Sequence, residues 1–172
     1  MQSNSKSVVS LTREELDRLL AVAKKYSFQD FLMFLVTFNH GLRVSETLAL
    51  TPENLQGNFL VVQRLKGSFK TTQPLLASER EFLSLLVGRW FPMSRWTFGR
   101  RMHEYGTEAG IPDFKCHPHA LKHTTGRLGF KGGMTVTDVA SYLGHKVMEN
   151  SLVYMRSTEE EAANAFAAAA GK

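Results

Sequence analysis

The sequence predicts a mainly α fold with one small β-hairpin or sheet, an α+β domain. Three observations lead there. Apolar residues recur at helical spacing through most of the chain, behind N-terminal capping signals. Strand formers concentrate between 58 and 75, around the turn residues Lys66-Gly67-Ser68. Finally, 172 residues with 43% hydrophobic and 22% charged content suit one core rather than two.

Thr12 and Glu15 make a capping box with Leu11 and Leu16 as its hydrophobic staple, so a helix is expected over 13–25 with Leu16, Leu19, Leu20 and Ala23 inward. Residues 28–38 are apolar nearly all round, which predicts a central helix ending at Gly41. A short helix over 44–50 stops before Pro52, and Thr51-Pro52-Glu53-Asn54 reads as a turn. Strand residues 58–63 and the stretch 71–75 then form a hairpin with Lys66 near its tip. Further helices are expected at 78–87, 95–109, 118–129, 136–142, 149–156 and 158–170. Pro118 fits a first helical position, and Ser157 with Glu160 makes a second capping box. Residues 1–10 are read as a flexible N-terminus, 11–157 as the main domain and 158–172 as a C-terminal helix.

The sequence has no run of 18 apolar residues and no signal-peptide pattern, so a cytoplasmic protein without membrane contact is expected. Its single cysteine, Cys116, excludes an internal disulfide and reads as inert packing. Net charge is +5, concentrated in the middle: residues 61–131 carry twelve positive and five negative side chains, whereas residues 1–60 carry six of each. That basic stretch, with Trp90, Phe91, Trp96 and Phe98 anchoring its local fold, fits a phosphate-backbone surface or simply a basic soluble protein.

Several residues are candidates for chemistry, each with an ordinary alternative. Arg43, in Gly41-Leu42-Arg43-Val44-Ser45-Glu46, can pair with Glu46 at a helix junction or fork a phosphate with Glu46 orienting it. Lys66 on a hairpin tip is compatible with a plain polar turn. In His117-Pro118-His119-Ala120-Leu121-Lys122-His123, His119 and Lys122 share a helix face at i and i+3. His123 suits a buried hydrogen-bonding role, and no Asp, Glu or Cys at ligand spacing completes a metal set. Leu143-Gly144-His145 is followed nine residues after the histidine by Tyr154, which in isolation reads as core.

Taken in their order, these segments resemble the catalytic domain of the tyrosine recombinases, the phage integrase family, over roughly residues 10–158. The wording Arg64-Leu65-Lys66-Gly67 through Thr71-Thr72-Gln73-Pro74-Leu75-Leu76 is similar to the small recombinases that invert fimbrial promoters. The resemblance implies that fold and a reaction in which Tyr154 attacks a DNA phosphate, forming a 3′-phosphotyrosyl bond and freeing a 5′-hydroxyl without any cofactor. It implies Arg43 as first phosphate clamp and Lys66 as general acid. His119 and His145 become the positions that bind phosphate or handle the nucleophile's proton, with Glu46 and His123 in support. Lys122 stands where the family has a second arginine, a point charge in place of a planar fork. That departure keeps open an impaired DNA-binding regulator beside the recombinase, and a type IB topoisomerase-like activity shares the chemistry. The implied partners are double-stranded DNA and further copies of the chain. The resemblance implies a tetramer on DNA and a tail that docks in a neighbouring subunit. Phe166, the one large apolar residue of that tail, is the expected anchor, and since it contributes only about 2–3 kcal/mol the free protein is expected to be mostly monomeric. The family's N-terminal DNA-clamping domain has no counterpart in these residues, as in a catalytic-domain piece or a natural minimal recombinase.

Overall fold

The computed structural model describes residues 8–65, 68–147, 149–155 and 167. Helix α1 (Arg13–Tyr26) starts on the expected capping box: Thr12 Oγ1 accepts from the Glu15 amide, and Glu15 Oε2 accepts from the Thr12 amide at 2.7 Å. Leu11 and Leu16 are both buried beside it. Ser27 caps α2 (Phe28–Asn39), whose Leu32, Met33, Phe34 and Val36 are fully enclosed, as an all-round apolar helix requires. α2 packs against α1 and against α6 (Pro118–Lys131), and so sits at the centre of the domain.

After Gly41, α3 (Val44–Thr47) is shorter than the expected 44–50, because Leu48 and Leu50 turn inward to the core instead of continuing the helix. The Pro52–Asn54 turn follows as a 3-10 turn. The β element is a three-stranded antiparallel sheet, β1 (Leu55–Gln56), β2 (Phe59–Val62) and β3 (Thr71–Pro74), in that order. Sequence reading finds β2 and β3 but misses β1, a two-residue strand made only by pairing Leu55 with Leu60 and Gln56 with Phe59. β2 and β3 pair from Phe59 opposite Pro74 to Val62 opposite Thr71.

α4 (Ala77–Leu83) ends four residues before the expected 87; there the Ser84 hydroxyl donates to the Glu81 carbonyl, and Leu85 and Val87 lie exposed. α5 (Arg95–Glu108) brings Phe98 and Met102 to the core beside Trp90 and Phe91. Trp96 alone of the four aromatics faces outward. A buried phenylalanine of this kind contributes about 2–3 kcal/mol through area removed from water. Cys116 is buried against Gly106, where a Cβ would meet its sulfur at 2.5 Å, and burial pushes its thiol pKa up.

α6 begins on Pro118, and α7 (Val136–Leu143) ends on Gly144 at φ 70, a left-handed cap that suits glycine. The expected 149–156 helix divides into α8 (Glu149–Leu152) and a 3-10 turn (Val153–Met155). Of the helix expected over 158–170, only the helical Ala167 is described; its capping box and Phe166 lie outside the described residues, as does Lys66. Among the described residues no helix is long and apolar enough to cross a membrane.

Candidate active site

The site gathers where the C-terminal ends of α2 and α7 meet on α6. Glu46, buried in α3, is its deepest anion: Oε2 accepts from the Arg43 amide at 2.8 Å, and Oε1 from Arg43 Nη1 at 2.9 Å. The Leu65 amide and Arg64 Nη1 add bonds at 3.1 Å each. Burial alone raises its pKa, yet the Arg43 and Leu65 amides with the Arg64 and Lys122 charges hold the carboxyl below the usual range. Arg43 itself is half-buried and also donates to Ser68 Oγ at 3.2 Å, so Glu46 fixes a guanidinium that still faces the cavity.

Lys122 is buried at 5% exposure on α6, and its ammonium donates to the Gly41 carbonyl at 2.8 Å and the Leu143 carbonyl at 3.3 Å. Leu143 is the last residue of α7, whose end carbonyls carry partial negative charge, and Gly41 follows the His40 cap of α2. Burial, then the Arg64 and Arg43 charges, lower its pKa to about 7 against the pull of Glu46.

Tyr154 is buried, its ring lying over Gly126 of α6. A Cβ at Gly126 would meet the ring at 2.6–2.9 Å, so only glycine seats it without displacement. The phenol oxygen lies 3.1 Å from His123 Nδ1. Burial, then the neighbouring His119, His117 and Lys122, lower the His123 pKa to about 4, leaving a neutral ring able to accept the phenol proton. Burial pushes the Tyr154 phenol up to about 12. His119, one turn before His123 with ring centroids 6.4 Å apart, is exposed at the mouth.

His145 is held by Ser151, whose Oγ lies 2.7 Å from Nδ1. Burial, then Lys122, Arg43, Arg64 and His123, lower its pKa to about 4. Arg43, His119, Lys122, His123, His145 and Tyr154 thus line one cavity of about 600 Å³, with Glu46 behind it. Lys66 follows two residues after Arg64 in sequence. Sequence reasoning passes over Arg64, Ser151 and Gly126. It also assigns His123 only a supporting bond, whereas the ring touches the phenol directly. The only signal for Arg64 is its place in the Arg64-Leu65-Lys66-Gly67 wording; nothing local marks Ser151 or Gly126.

An open cavity holding cations, neutral imidazoles and one phenol suits attack on an anionic phosphoester. Comparison with known proteins agrees with that chemistry. The type 1 fimbriae regulatory protein FimB of Escherichia coli strain K12 is 29% identical over 168 residues, covering 86% of this chain and 84% of FimB. The tyrosine recombinase XerA of Pyrococcus furiosus is 32% identical over 170 residues, covering 87% of this chain and 57% of XerA. The crystal structure of the XerH site-specific recombinase bound to its difH substrate, a pre-cleavage complex, shares the fold with a TM-score of 0.75 at 19% identity. That match covers 93% of this chain and 54% of XerH. The pattern of the phage integrase family matches residues 10–161. The chain belongs to the phage integrase family, the tyrosine-type site-specific DNA recombinases.

Proposed function

We propose that Tyr154 is the nucleophile that cuts and rejoins double-stranded DNA at specific sites. The phenol oxygen attacks phosphorus, the bond to the 5′-oxygen breaks, and the products are a 3′-phosphotyrosyl linkage and a 5′-hydroxyl. Reversal with a second 5′-hydroxyl exchanges strands. The phenol proton passes to His123 Nδ1, and the leaving 5′-oxygen takes a proton from Lys66, the hairpin lysine. Arg43 holds the non-bridging oxygens, with His119, His145 and the remaining N–H of Lys122 turned to the same charge. No residue in this scheme requires a cofactor.

The single observation that carries this reading is the phenol of Tyr154 within hydrogen-bond reach of His123, in the cavity that also holds Arg43, Lys122 and His145. The partners proposed are double-stranded DNA, which the likeness to XerH bound to its difH substrate supports, and further copies of the chain in a tetramer on paired sites. The free protein is mostly monomeric, acts in the cytoplasm, and uses residues 158–172 to link neighbours. Residues 11–157 form the catalytic unit.

The test is a nicked suicide substrate. Native protein yields a covalent adduct on a denaturing gel, and Tyr154→Phe binds DNA normally with none. An undiminished adduct from Tyr154→Phe overturns the assignment; DNA binding by the native protein without any adduct replaces it with a non-cleaving DNA-binding role.

A further inference from the structure

We infer that Arg64 is a positioning residue for the reaction: its buried guanidinium locks together the chain segments that carry Arg43, Lys66 and His145. The inference rests on the recombinase reading of the cavity and adds a residue to it.

Arg64 leaves the end of β2 and turns inward, and its side chain is fully buried. Its guanidinium has five N–H groups, and all five are used. Nε donates to Thr71 Oγ1 at 2.9 Å, tying it to β3. Nη1 donates to the Gly41 carbonyl at 3.0 Å and to Glu46 Oε2 at 3.1 Å. Nη2 donates to the His40 carbonyl at 2.8 Å and to the Tyr142 carbonyl at 3.2 Å. One side chain therefore gathers the end of α2, the end of α7, the strand β3 and the carboxylate that orients Arg43.

Acceptors on both helix ends, and Arg64 itself, lie a few residues from a candidate catalytic group. Gly41 precedes Arg43 by two residues, Tyr142 precedes His145 by three, and Arg64 precedes Lys66 by two. The stem matters as well, because a Cβ at Gly144 would meet Arg64 Cγ at 3.0 Å and the Phe69 carbonyl at 2.9 Å. The Phe69 amide donates to the Gly144 carbonyl at 3.0 Å, so the returning arm of the hairpin docks on the residue before His145. Gln73 of β3 repeats two of the ties, donating to the His40 and Tyr142 carbonyls at 3.2 and 2.7 Å.

The two helix ends would repel each other through their carbonyl dipoles without cations between them. Lys122 neutralises them from the cavity side and Arg64 from the sheet side. Arg64 donates no hydrogen bond to the side chains of the six cavity residues; it reaches the cavity through Glu46, through the backbone, and through its charge on Lys122 and His145. A lysine there keeps the charge but offers three N–H groups to five acceptors, so it cannot hold all four segments at once.

The experiment compares Arg64→Lys with native protein by hydrogen exchange in the free state and by cleavage of the nicked substrate at saturating DNA. Exchange at the Phe69 and His145 amides should accelerate about tenfold or more while α1 amides keep native rates, since the ties lost are local. Cleavage should fall about 10–100-fold with affinity for DNA within about threefold, the pattern of a misplaced catalytic group. Native exchange at Phe69, native cleavage, or acceleration spread equally into α1 each overturns the inference, the last by reducing Arg64 to general stability. If Arg64→Lys does not fold, Thr71→Val removes the Nε tie alone and is judged on the same measurements. If native protein forms no adduct, the recombinase reading fails while the Phe69 amide still decides whether Arg64 holds the hairpin arm.

Discussion

Replacing Lys122 by methionine removes a buried titrating charge and leaves a linear side chain in its slot. In the folded chain the Lys122 pKa falls from 10.5 to about 7. Between those values the unfolded chain holds a proton that the folded chain has released, so native stability rises with pH across that window and is lower by the full amount below it. At about 1.4 kcal/mol per unit the whole shift is worth about 5 kcal/mol, and the part between pH 7 and 9.5 about 3 kcal/mol. Lys122→Met has no such term. Its loss of the bonds to the Gly41 and Leu143 carbonyls is a constant offset, with Gly41 still served by Arg64. Thermal midpoints of the two proteins, measured from pH 6.5 to 9.5, should therefore diverge in favour of the native chain by roughly 6–12 °C. Subtracting one curve from the other cancels the groups they share. DNA should reverse the native trend, because a phosphate prefers the ammonium form: affinity falls by up to about tenfold per pH unit above 7 as binding takes up a proton. Parallel stability curves for native and variant would mean that Lys122 does not titrate in this range, and would refute the reasoning.

Two further substitutions probe the proposed nucleophile. Gly126→Ala sets a methyl group against the Tyr154 ring and should unseat it at a cost of about 1–3 kcal/mol; the phenol then titrates near 10 rather than about 12 in an ultraviolet titration, and an unmoved phenol counts against the seat. His123→Phe keeps an aromatic ring of similar breadth but cannot accept the phenol proton, so adduct formation should slow by about 10²–10⁴ with little change in DNA affinity. Native-like cleavage would assign proton removal to another group.

What could be read from the sequence was local. The Thr12–Glu15 capping box, the all-apolar α2 and the Pro118 start of α6 each declare themselves within one turn of helix, and the structure places all three as expected. β1 could not be read, since two residues carry no alternation and the strand exists only through its partner. The site divides in the same way. Arg43, His119, Lys122, His145 and Tyr154 stand in short motifs, but the roles of Arg64, Ser151 and Gly126 depend on partners 6–78 residues away along the chain. For His123 a buried bond is legible but not its partner, because nothing in a helix repeat tells which distant hydroxyl a ring will meet. Lys122 shows the limit best: the motif gives its position, while its burial and its two carbonyl partners decide its charge.

Those electrostatics set the resting charge of a cation-lined site. In the free chain at neutral pH the Tyr154 phenol is protonated, His123 and His145 are neutral, and Lys122 is near its midpoint. Each cation raises the cost of charging its neighbours, and burial raises it further. A phosphodiester entering the cavity supplies the missing negative charge. It draws Lys122 toward its ammonium form and lets cations that repelled one another share a common anion. In the proposed reaction the same cations would stabilise the extra charge that attack by the Tyr154 phenol brings to phosphorus, a charge absent from the free site and largest in the transition state. On that proposal, arrival of the substrate both completes the electrostatic balance and switches the site on, with Arg64 and Glu46 keeping the geometry fixed while the charges change.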